Sequence, residues 1–209
     1  MIAINNTEVI GWEAAIRGMR NPKNSWELSD SFYFEDIYTI GPNDMKLMKT
    51  LANAGTDHGK FLRMVTVYTD ITAPLYWWKE FDTYKVGTVA NSCSTMHKIH
   101  SKAFTLDDFS HEHLFDDIEC DDIEWYYEHF CRTIAVLNAA RDSFIKTNDK
   151  RYWWQMIQLL PTSYNQKRTV MLNYAVLKNM YHARKNHKLD EWHDFCRWVE
   201  GLPHSDLIT

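Results

Sequence analysis

Residues 61–72 read FLRMVTVYTDIT, a run of β-branched, aromatic and polar side chains that largely decides the fold. Such a run predicts a β-strand, the best one in the chain. Thr72 and Ala73 lead into Pro74, and the following residues LYWWKEFDTYKV predict a helix, because proline suits a first helical turn. One strand cannot form a sheet. We therefore expect its partners in the N-terminal third of the chain or in another subunit.

Two shorter stretches precede this strand. Residues 32–40 (FYFEDIYTI) favour a strand by composition, and a helical turn is the competing interpretation. Asn43 is the expected cap of a helix over 43–52, since its side chain can accept hydrogen bonds from first-turn amides and Gly55 follows as a stop.

Helices dominate the second half of the sequence. Apolar residues recur at three- and four-residue steps across 121–146, which predicts a long helix with one buried stripe. We expect three more helices: one capped by Asn148 and ended by Pro161, one over 170–184, and one over 190–201. The expected fold is α+β, a helix-rich single domain over residues 1–209 with a small antiparallel or mixed sheet.

The composition excludes several classes of protein. The formal net charge of the 209 residues is −5, so the chain lacks the basic balance typical of general nucleic-acid binding. The sequence shows neither a basic leader with a long apolar core nor an apolar stretch of roughly 20 residues, which predicts a cytoplasmic protein without a membrane span. The four cysteines are scattered, and we expect them to be reduced.

An acidic run occupies residues 107–124 (DDFSHEHLFDDIECDDIE) and includes His111 and His113. Histidines and carboxylates are ordinary ligands of divalent metals, so a metal-dependent enzyme is one alternative. The simpler interpretation is a solvated charged face with acids near a helix start. We predict no metal site.

Polar side chains crowd the stretch 90–100 (ANSCSTMHKIH). Neither Ser92 nor Ser94 lies in a GxSxG motif, and the linear spacing places no general base beside a Ser or Cys nucleophile, which disfavours a covalent hydrolase. Donors and acceptors for a bound ligand are the favoured interpretation. The adjacent pairs Trp77-Trp78 and Trp153-Trp154 are expected to pack, with base or flavin stacking as the alternative.

Arg184 is the strongest single candidate for anion binding. It belongs to the basic segment 178–188 (KNMYHARKNHK) and shares a helical face with Asn173 and Leu177. An arginine there can make a bidentate contact to phosphate or carboxylate. The sequence contains neither GxGxxG nor a Walker A motif, which disfavours Rossmann and P-loop folds.

The order of these features resembles the flavin-dependent thymidylate synthases. That family has a His ahead of a strand, then a helix and the motif RHRxxSxNxxSxR, and later a Leu-Pro pair before a long helix with Asn and Arg. This sequence has His58 in TDHGKF, then the strand and helix described above, and later Leu160-Pro161 followed by NYAVLKNMYHAR. The similarity covers the layout of residues 57–199.

Within the motif, Asn91 and Ser94 match the family's Asn and second Ser. The other positions of the motif differ. Its opening Arg-His-Arg is replaced by Tyr84, Lys85 and Val86, its first Ser by Val89 and its final Arg by Met96. Guanidinium groups are the usual partners of phosphates. Lys85, Lys98 and Arg184 are the cations that compensate in part. Cys196 falls at a substrate-contacting Arg of the family, with Arg197 beside it.

The resemblance implies a homotetramer that binds FAD and a deoxyuridine nucleotide between subunits, with reduced flavin mediating methylene transfer from a folate to uracil. It assigns His58, Asn91 and Arg184 to cofactor binding and Ser94, Lys85 and Arg197 to substrate binding. The missing motif arginines argue against full synthase activity. The alternative is a non-catalytic, phage-type interaction protein on the same oligomeric scaffold.

Overall fold

The computed structural model describes residues 1–115 and 123–209, and the side chains of these residues except 115 and 123–125. Their strands are β1 Ala3–Ile10, β2 Phe32–Phe34, β3 Ile37–Thr39, β4 Thr66–Pro74, β5 Thr88–Ser92 and β6 Asn165–Asn173. Their α-helices are α1 Trp12–Arg20, α2 Pro42–Asn53, α3 Leu75–Phe81, α4 Thr95–Lys98, α5 Ile123–Thr147, α6 Lys150–Leu159, α7 Tyr174–Arg184 and α8 Asp190–Glu200.

The strands form two sheets. Four of them lie in the order β1-β4-β6-β5, so the central strands come from residues far apart in the chain. β2 and β3 form a separate antiparallel hairpin with Phe32 opposite Thr39, Tyr33 opposite Tyr38 and Phe34 opposite Ile37. The predicted α+β class with a small antiparallel sheet is confirmed.

The chain divides into two compact units. The first contains residues 1–3, 71–82 and 91–168, and the second contains residues 4–70, 83–90 and 169–209. The expectation of a single domain stays a prediction.

In the first unit, α5 packs against α6. The shared core is made of buried apolar side chains, namely Ile99, Phe104, Phe109, Leu137, Ala140 and Met156. Phe130, Ile134 and Phe144 of α5 pack on this core at the predicted helical spacing, which confirms the apolar stripe over this part of the helix, whereas Tyr127 of the same stripe is exposed.

The second unit has its own apolar core under α7 and α8. Fully buried side chains there include Ile16, Met48, Tyr174, Leu177, Met180, Trp192, Phe195 and Val199. The Tyr174 amide donates to the Val65 carbonyl (3.0 Å), and Lys178 Nζ donates to the Ala52 carbonyl (2.7 Å). These bonds fix α7 in the unit, and its last residue is Arg184.

Two predictions were wrong for the first residues of an element, namely the strand predicted from residue 61 and the helix predicted from residue 170. Residues 59–63 form a 3-10 helix in which the neighbours Phe61 and Leu62 are both buried, whereas in a strand with one buried face their side chains would point to opposite sides. The alternating burial of a strand begins after Thr66. Val170 lies in β6, where burial also alternates, and the helix predicted from residue 170 starts at Tyr174.

Both predicted asparagine caps were wrong. The carboxylate of Asp30, from a distant loop, accepts from the amides of Asn43 (2.8 Å) and Asp44 (3.0 Å) at the start of α2. Asp149 caps α6 by accepting from the Arg151 amide (2.9 Å), while Asn148 adopts a left-handed φ of +53°. The predicted start of the long helix at 121 lies outside the described residues.

Within the described ranges, no helix is both long enough and apolar enough to cross a membrane.

Candidate functional site

Arg184 lies in an aromatic cage in the second unit. Its Nε donates to the Tyr84 hydroxyl (2.8 Å), and its guanidinium carbon is 4.8 Å from the Trp192 ring centroid and 5.5 Å from that of Tyr84. The two rings meet edge to face at 6.2 Å. Each cation–π contact stabilises the cation by about 0.5–1 kcal/mol at a partly exposed position. The guanidinium is therefore held against both rings.

The segment that carries Tyr84 is fixed by glycine and asparagine. Gly87 has a φ of +80°, and an added Cβ would lie 2.5 Å from Asn173 Nδ2. Asn173 caps α7 by accepting from the Val176 amide (2.9 Å). Residues 84–87 thus run along α7, with Gly87 at its first turn and Tyr84 at its last.

We call Tyr84, Lys85, Arg184 and Trp192 the Arg184 cluster. Arg184 is half-buried and ends α7, while Lys85 is exposed on the neighbouring segment. A guanidinium is the usual partner of a phosphate or carboxylate ligand, and an ammonium group on the neighbouring segment adds positive charge. Val86 follows Lys85 and is 87% exposed, so no cation stands at that position of the cluster.

The predicted ligand residues of the first unit lie on the β5–α4 segment. Asn91 is exposed on β5, and the Ser94 hydroxyl accepts from the His97 amide (3.1 Å), which caps α4. Between them, the Cys93 amide donates to the Lys167 carbonyl (2.9 Å). Lys98 and Lys167 are both exposed. This surface combines amide, hydroxyl and ammonium donors.

Arg168 is a partly buried cation that sequence reasoning missed. Its guanidinium lies 4.2 Å from the Trp78 ring centroid, pairs with Asp82 (2.7 Å) and donates from Nε to Gln166 Oε1 (2.9 Å). Trp77 and Trp78 are both buried, so the packing interpretation of that pair is confirmed. Asp82 balances the charge of Arg168, which marks it as a structural group.

The two remaining site predictions lie elsewhere in the second unit. His58 is exposed just before the 3-10 helix Gly59–Arg63. Arg197 is exposed on α8 and forms an ion pair with Asp194. Arg197 follows Trp192 by five residues on α8, which places it about 140° around the helix axis. It therefore points away from the side of α8 on which Trp192 contacts Arg184. The ligand roles of His58 and Arg197 stay predictions.

The described part of the acidic run is occupied by local contacts. Asp108 pairs with Lys102 and accepts from the Thr105 amide (2.9 Å), and Glu112 pairs with the N-terminal ammonium. His111 Nδ1 lies 2.9 Å from the Phe109 carbonyl. No group of three or more His, Cys, Asp and Glu residues suited to a metal occurs in residues 1–115 and 123–209. Residues 116–122 of the run lie outside the described residues.

An open cleft of about 410 Å³ also occurs in the second unit. It is lined by Thr7, Val9, Trp198, Gly201, Leu202 and Pro203, which carry no charge. Such a lining offers little to an anionic ligand.

The β2–β3 hairpin presents a different kind of surface. Its large apolar side chains are exposed together with two from the preceding loop, namely Trp26, Leu28, Phe32, Tyr33, Phe34 and Ile37. Large apolar side chains exposed close together in the chain are typical of an interaction surface. We call these six residues the hairpin patch.

Comparison with known proteins identifies the fold. No protein-family model and no curated protein sequence matches the chain. The structure of thymidylate synthase X from Helicobacter pylori with FAD and dUMP superposes with a TM-score of 0.70 and 16% identity, covering 100% of this chain and 98% of that chain. A structure of the flavin-dependent thymidylate synthase from the same organism, complexed with FAD and dUMP, gives 0.70 and 16%, with 99% and 97% covered.

The UMP/dUMP methylase PolB from Streptomyces cacaoi, bound with 5-Br dUMP, gives a TM-score of 0.68 and 13% identity, covering 96% of this chain and 89% of that chain. These likenesses establish the fold. The chain has the fold of the flavin-dependent thymidylate synthases, which confirms the resemblance inferred from the order of its motifs.

Proposed function

We propose that this chain binds a deoxyuridine nucleotide, with FAD as cofactor, on a fold shared with the flavin-dependent thymidylate synthases. The observation that carries the proposal is the Arg184 cluster, in which a guanidinium contacts Tyr84 and Trp192, and the exposed Lys85 follows Tyr84 in the chain. Neighbours of the same fold were solved with FAD and dUMP. Arg184 would contact the anionic part of the ligand, and Lys85 would add a second positive charge.

The donors on the β5–α4 segment and on β6 fit a phosphate-bearing cofactor. Asn91 supplies an exposed amide, Ser94 a hydroxyl, and Lys98 and, on β6, Lys167 supply exposed ammonium groups, all of which are ordinary partners of phosphate oxygens. When bound, FAD supplies the redox chemistry of methylene transfer. The residues of this chain would hold and orient the ligands. His58 would lie toward the cofactor and Arg197 toward the substrate, as the family resemblance implies.

Synthase turnover itself is a weaker expectation. Exposed apolar side chains occupy three motif positions, with Val86, Val89 and Met96 all on the surface. An apolar side chain donates no hydrogen bond to a phosphate and gives no electrostatic stabilisation to charge that develops in the transition state. We therefore propose ligand binding with little or no thymidylate synthesis.

The test is calorimetric titration of dUMP into the wild-type chain and two variants. Arg184→Ala should weaken dUMP binding by about 1.5–3 kcal/mol, because it removes a charge-assisted contact. Arg132→Ala is the matched control, since Arg132 is an exposed arginine paired with Glu128 on α5. The control should bind as the wild type does. Equal affinity of the Arg184 variant, with its fold intact, would remove Arg184 from the site.

The hairpin patch favours a second candidate function, a phage-type interaction protein that keeps a homotetrameric scaffold without a cofactor. Residues 24–45 contain five acids and no Lys or Arg, so the patch is apolar and acidic. Purified protein that absorbs at about 450 nm, the flavin band, supports the first function. Colourless protein that takes up no added FAD supports the second. For either function the predicted location is the cytoplasm.

A further inference from the structure

A buried glutamine ties the β5–α4 segment to β6 in the first unit. Gln166 lies on β6 and is 8% exposed, and both polar atoms of its side chain form hydrogen bonds. We infer that Gln166 is a positioning residue, which holds Asn91 and Ser94 where their side chains meet the phosphates of a bound cofactor. The inference rests on the proposed function and names the residue that orders the cofactor side of the site.

The orientation of the Gln166 amide is set by its neighbours. Arg168 Nε donates to Gln166 Oε1 (2.9 Å), and a guanidinium can only donate, so the oxygen of the amide must face Arg168. The amide nitrogen then donates to the Cys93 carbonyl (2.9 Å). Glutamine fits this place because its side chain accepts at one atom and donates at the other. An ionised glutamate would accept from Arg168 but could not donate to Cys93.

The bond from Gln166 continues the pairing of β5 with β6 beyond the end of the strand. The Cys93 amide donates to the Lys167 carbonyl (2.9 Å), and the Cys93 carbonyl accepts from Gln166, so both backbone groups of Cys93 are paired. Cys93 follows the last residue of β5 and precedes Ser94, which caps α4. Residues 89–92 of this edge strand are exposed, so burial contributes little to their position and the bonds to β6 hold them.

The support behind Gln166 is itself fixed. The Arg168 guanidinium lies 4.2 Å from the Trp78 ring centroid and pairs with Asp82 (2.7 Å). Trp78 is buried, and its Nε1 donates to the Gln166 carbonyl (2.9 Å). Polar groups buried in this way cost free energy unless they are bonded, which makes the arrangement specific. The network reaches the predicted ligand segment at the Cys93 carbonyl.

Gln166 could instead serve only the stability of the sheet. A stability role predicts that its loss lowers the free energy of unfolding without changing the relative affinity of two ligands. A positioning role predicts that the contacts made by Asn91 and Ser94 weaken selectively. FAD and riboflavin separate these roles, because both contain the flavin ring and only FAD carries phosphates.

The experiment titrates FAD and riboflavin, followed by flavin fluorescence, into the wild type, Gln166→Glu and Gln166→Met. Both variants remove the donor to the Cys93 carbonyl. The first keeps an acceptor for Arg168, and the second has a side chain of similar length without charge. We expect FAD affinity to fall about tenfold in both variants, the effect of one lost hydrogen bond, with riboflavin affinity unchanged. Gln158→Glu, at an exposed position on α6 of the same unit, is the matched control and should change neither affinity.

The outcomes separate the two claims. A wild type that binds FAD no more tightly than riboflavin, or binds neither, ends the assignment of FAD to this chain and this inference with it. If the wild type prefers FAD and both Gln166 variants keep that preference, the proposed function stands and the inference falls. Equal weakening of both ligands also overturns it, because that is the behaviour of a sheet that has loosened as a whole.

Two further checks complete the design. Loss of the FAD preference in Gln158→Glu would overturn the inference, since added charge alone would then explain the effect. Far-ultraviolet circular dichroism shows which variants are folded. If the buried charge prevents Gln166→Glu from folding, the uncharged Gln166→Met decides the question.

Discussion

The carboxylate of Asp44 is fully buried at the start of α2, where several hydrogen bonds converge on it. Its Oδ1 accepts from Arg20 Nε (2.6 Å), and its Oδ2 accepts from the hydroxyls of Ser29 (2.7 Å) and Ser31 (2.6 Å). Burial raises the pKa of Asp44, but the hydrogen bonds from Ser29, Ser31 and Arg20 outweigh it and hold the pKa below its ordinary value. Arg20 also donates to the carbonyls of Ser25 (3.1 Å) and Leu28 (2.9 Å). The pair thus anchors the loop that leads to the hairpin.

Asp44→Asn should lower the free energy of unfolding by about 3–5 kcal/mol, because it leaves the buried Arg20 cation without its partner. Urea denaturation at neutral pH measures the loss. Glu13→Gln is the control, since the ion pair of Glu13 with Arg17 and its hydrogen bond from the Tyr33 hydroxyl (3.0 Å) are both exposed, and it should shift stability by no more than about 0.5 kcal/mol.

The same pair has a pH signature with a definite sign. A folded pKa below the unfolded value of about 3.9 means that Asp44 stabilises the fold above that pH and loses this contribution as the pH falls through the folded pKa. The stability difference between wild type and Asp44→Asn should therefore shrink in acid. A difference that stays constant from neutral pH to below pH ~3 would contradict the assigned role.

At the scale of elements, the contact between the 84–88 segment and α7 depends on one glycine. Gly87 needs both its left-handed φ of +80° and its missing side chain, because a Cβ would lie 2.5 Å from the Asn173 amide nitrogen. Gly55 offers a matched comparison. Its φ is +96°, and among the described atoms an added Cβ would meet nothing within 4 Å.

Gly55→Ala should cost about 1–2 kcal/mol from backbone strain alone. Gly87→Ala should cost about 1 kcal/mol more, because it also displaces the Asn173 cap of α7. Chemical denaturation of both variants gives the difference. Equal losses would show that the contact with Asn173 is loose and that the segment is not packed on α7 as described.

Among the elements, those with a local sequence signal could be predicted, and those that depend on tertiary contacts could not. α8 was expected over 190–201 and spans Asp190–Glu200, because a helical period with a closing glycine is a local signal. β5 was missed, since Thr88–Ser92 is short, polar and exposed and becomes a strand only by pairing in the sheet. The start of α2 was capped by Asp30, a residue thirteen positions from Asn43, which no local pattern reveals.

The candidate site was predictable only in part for the same reason. Arg184 was found from its helical face and its basic neighbours. Its partner Tyr84 lies 100 residues earlier, so the bond between them depends on tertiary structure. Trp192 is buried, and its contact with Arg184 follows from the packing of α7 against α8.

For the whole molecule, the hairpin patch supports the proposed self-assembly. Two strands with apolar side chains exposed on both faces are marginal in water unless something covers them. Six large side chains of about 150–250 Å² each, roughly half exposed or more, offer surface on the scale of the roughly 800 Å² per partner in a standard interface. The exposed acids Glu27, Glu35 and Asp36 disfavour an anionic lipid surface as the cover.

Native mass spectrometry of the purified chain, incubated with dUMP and FAD, is the most direct test of a nucleotide-binding protein on this fold. The expected spectrum shows four copies of the chain with dUMP and FAD bound, and dUMP is lost in Arg184→Ala but retained in Arg132→Ala. A wild-type spectrum of chains without either ligand, at concentrations that saturate a weak site, would contradict the account.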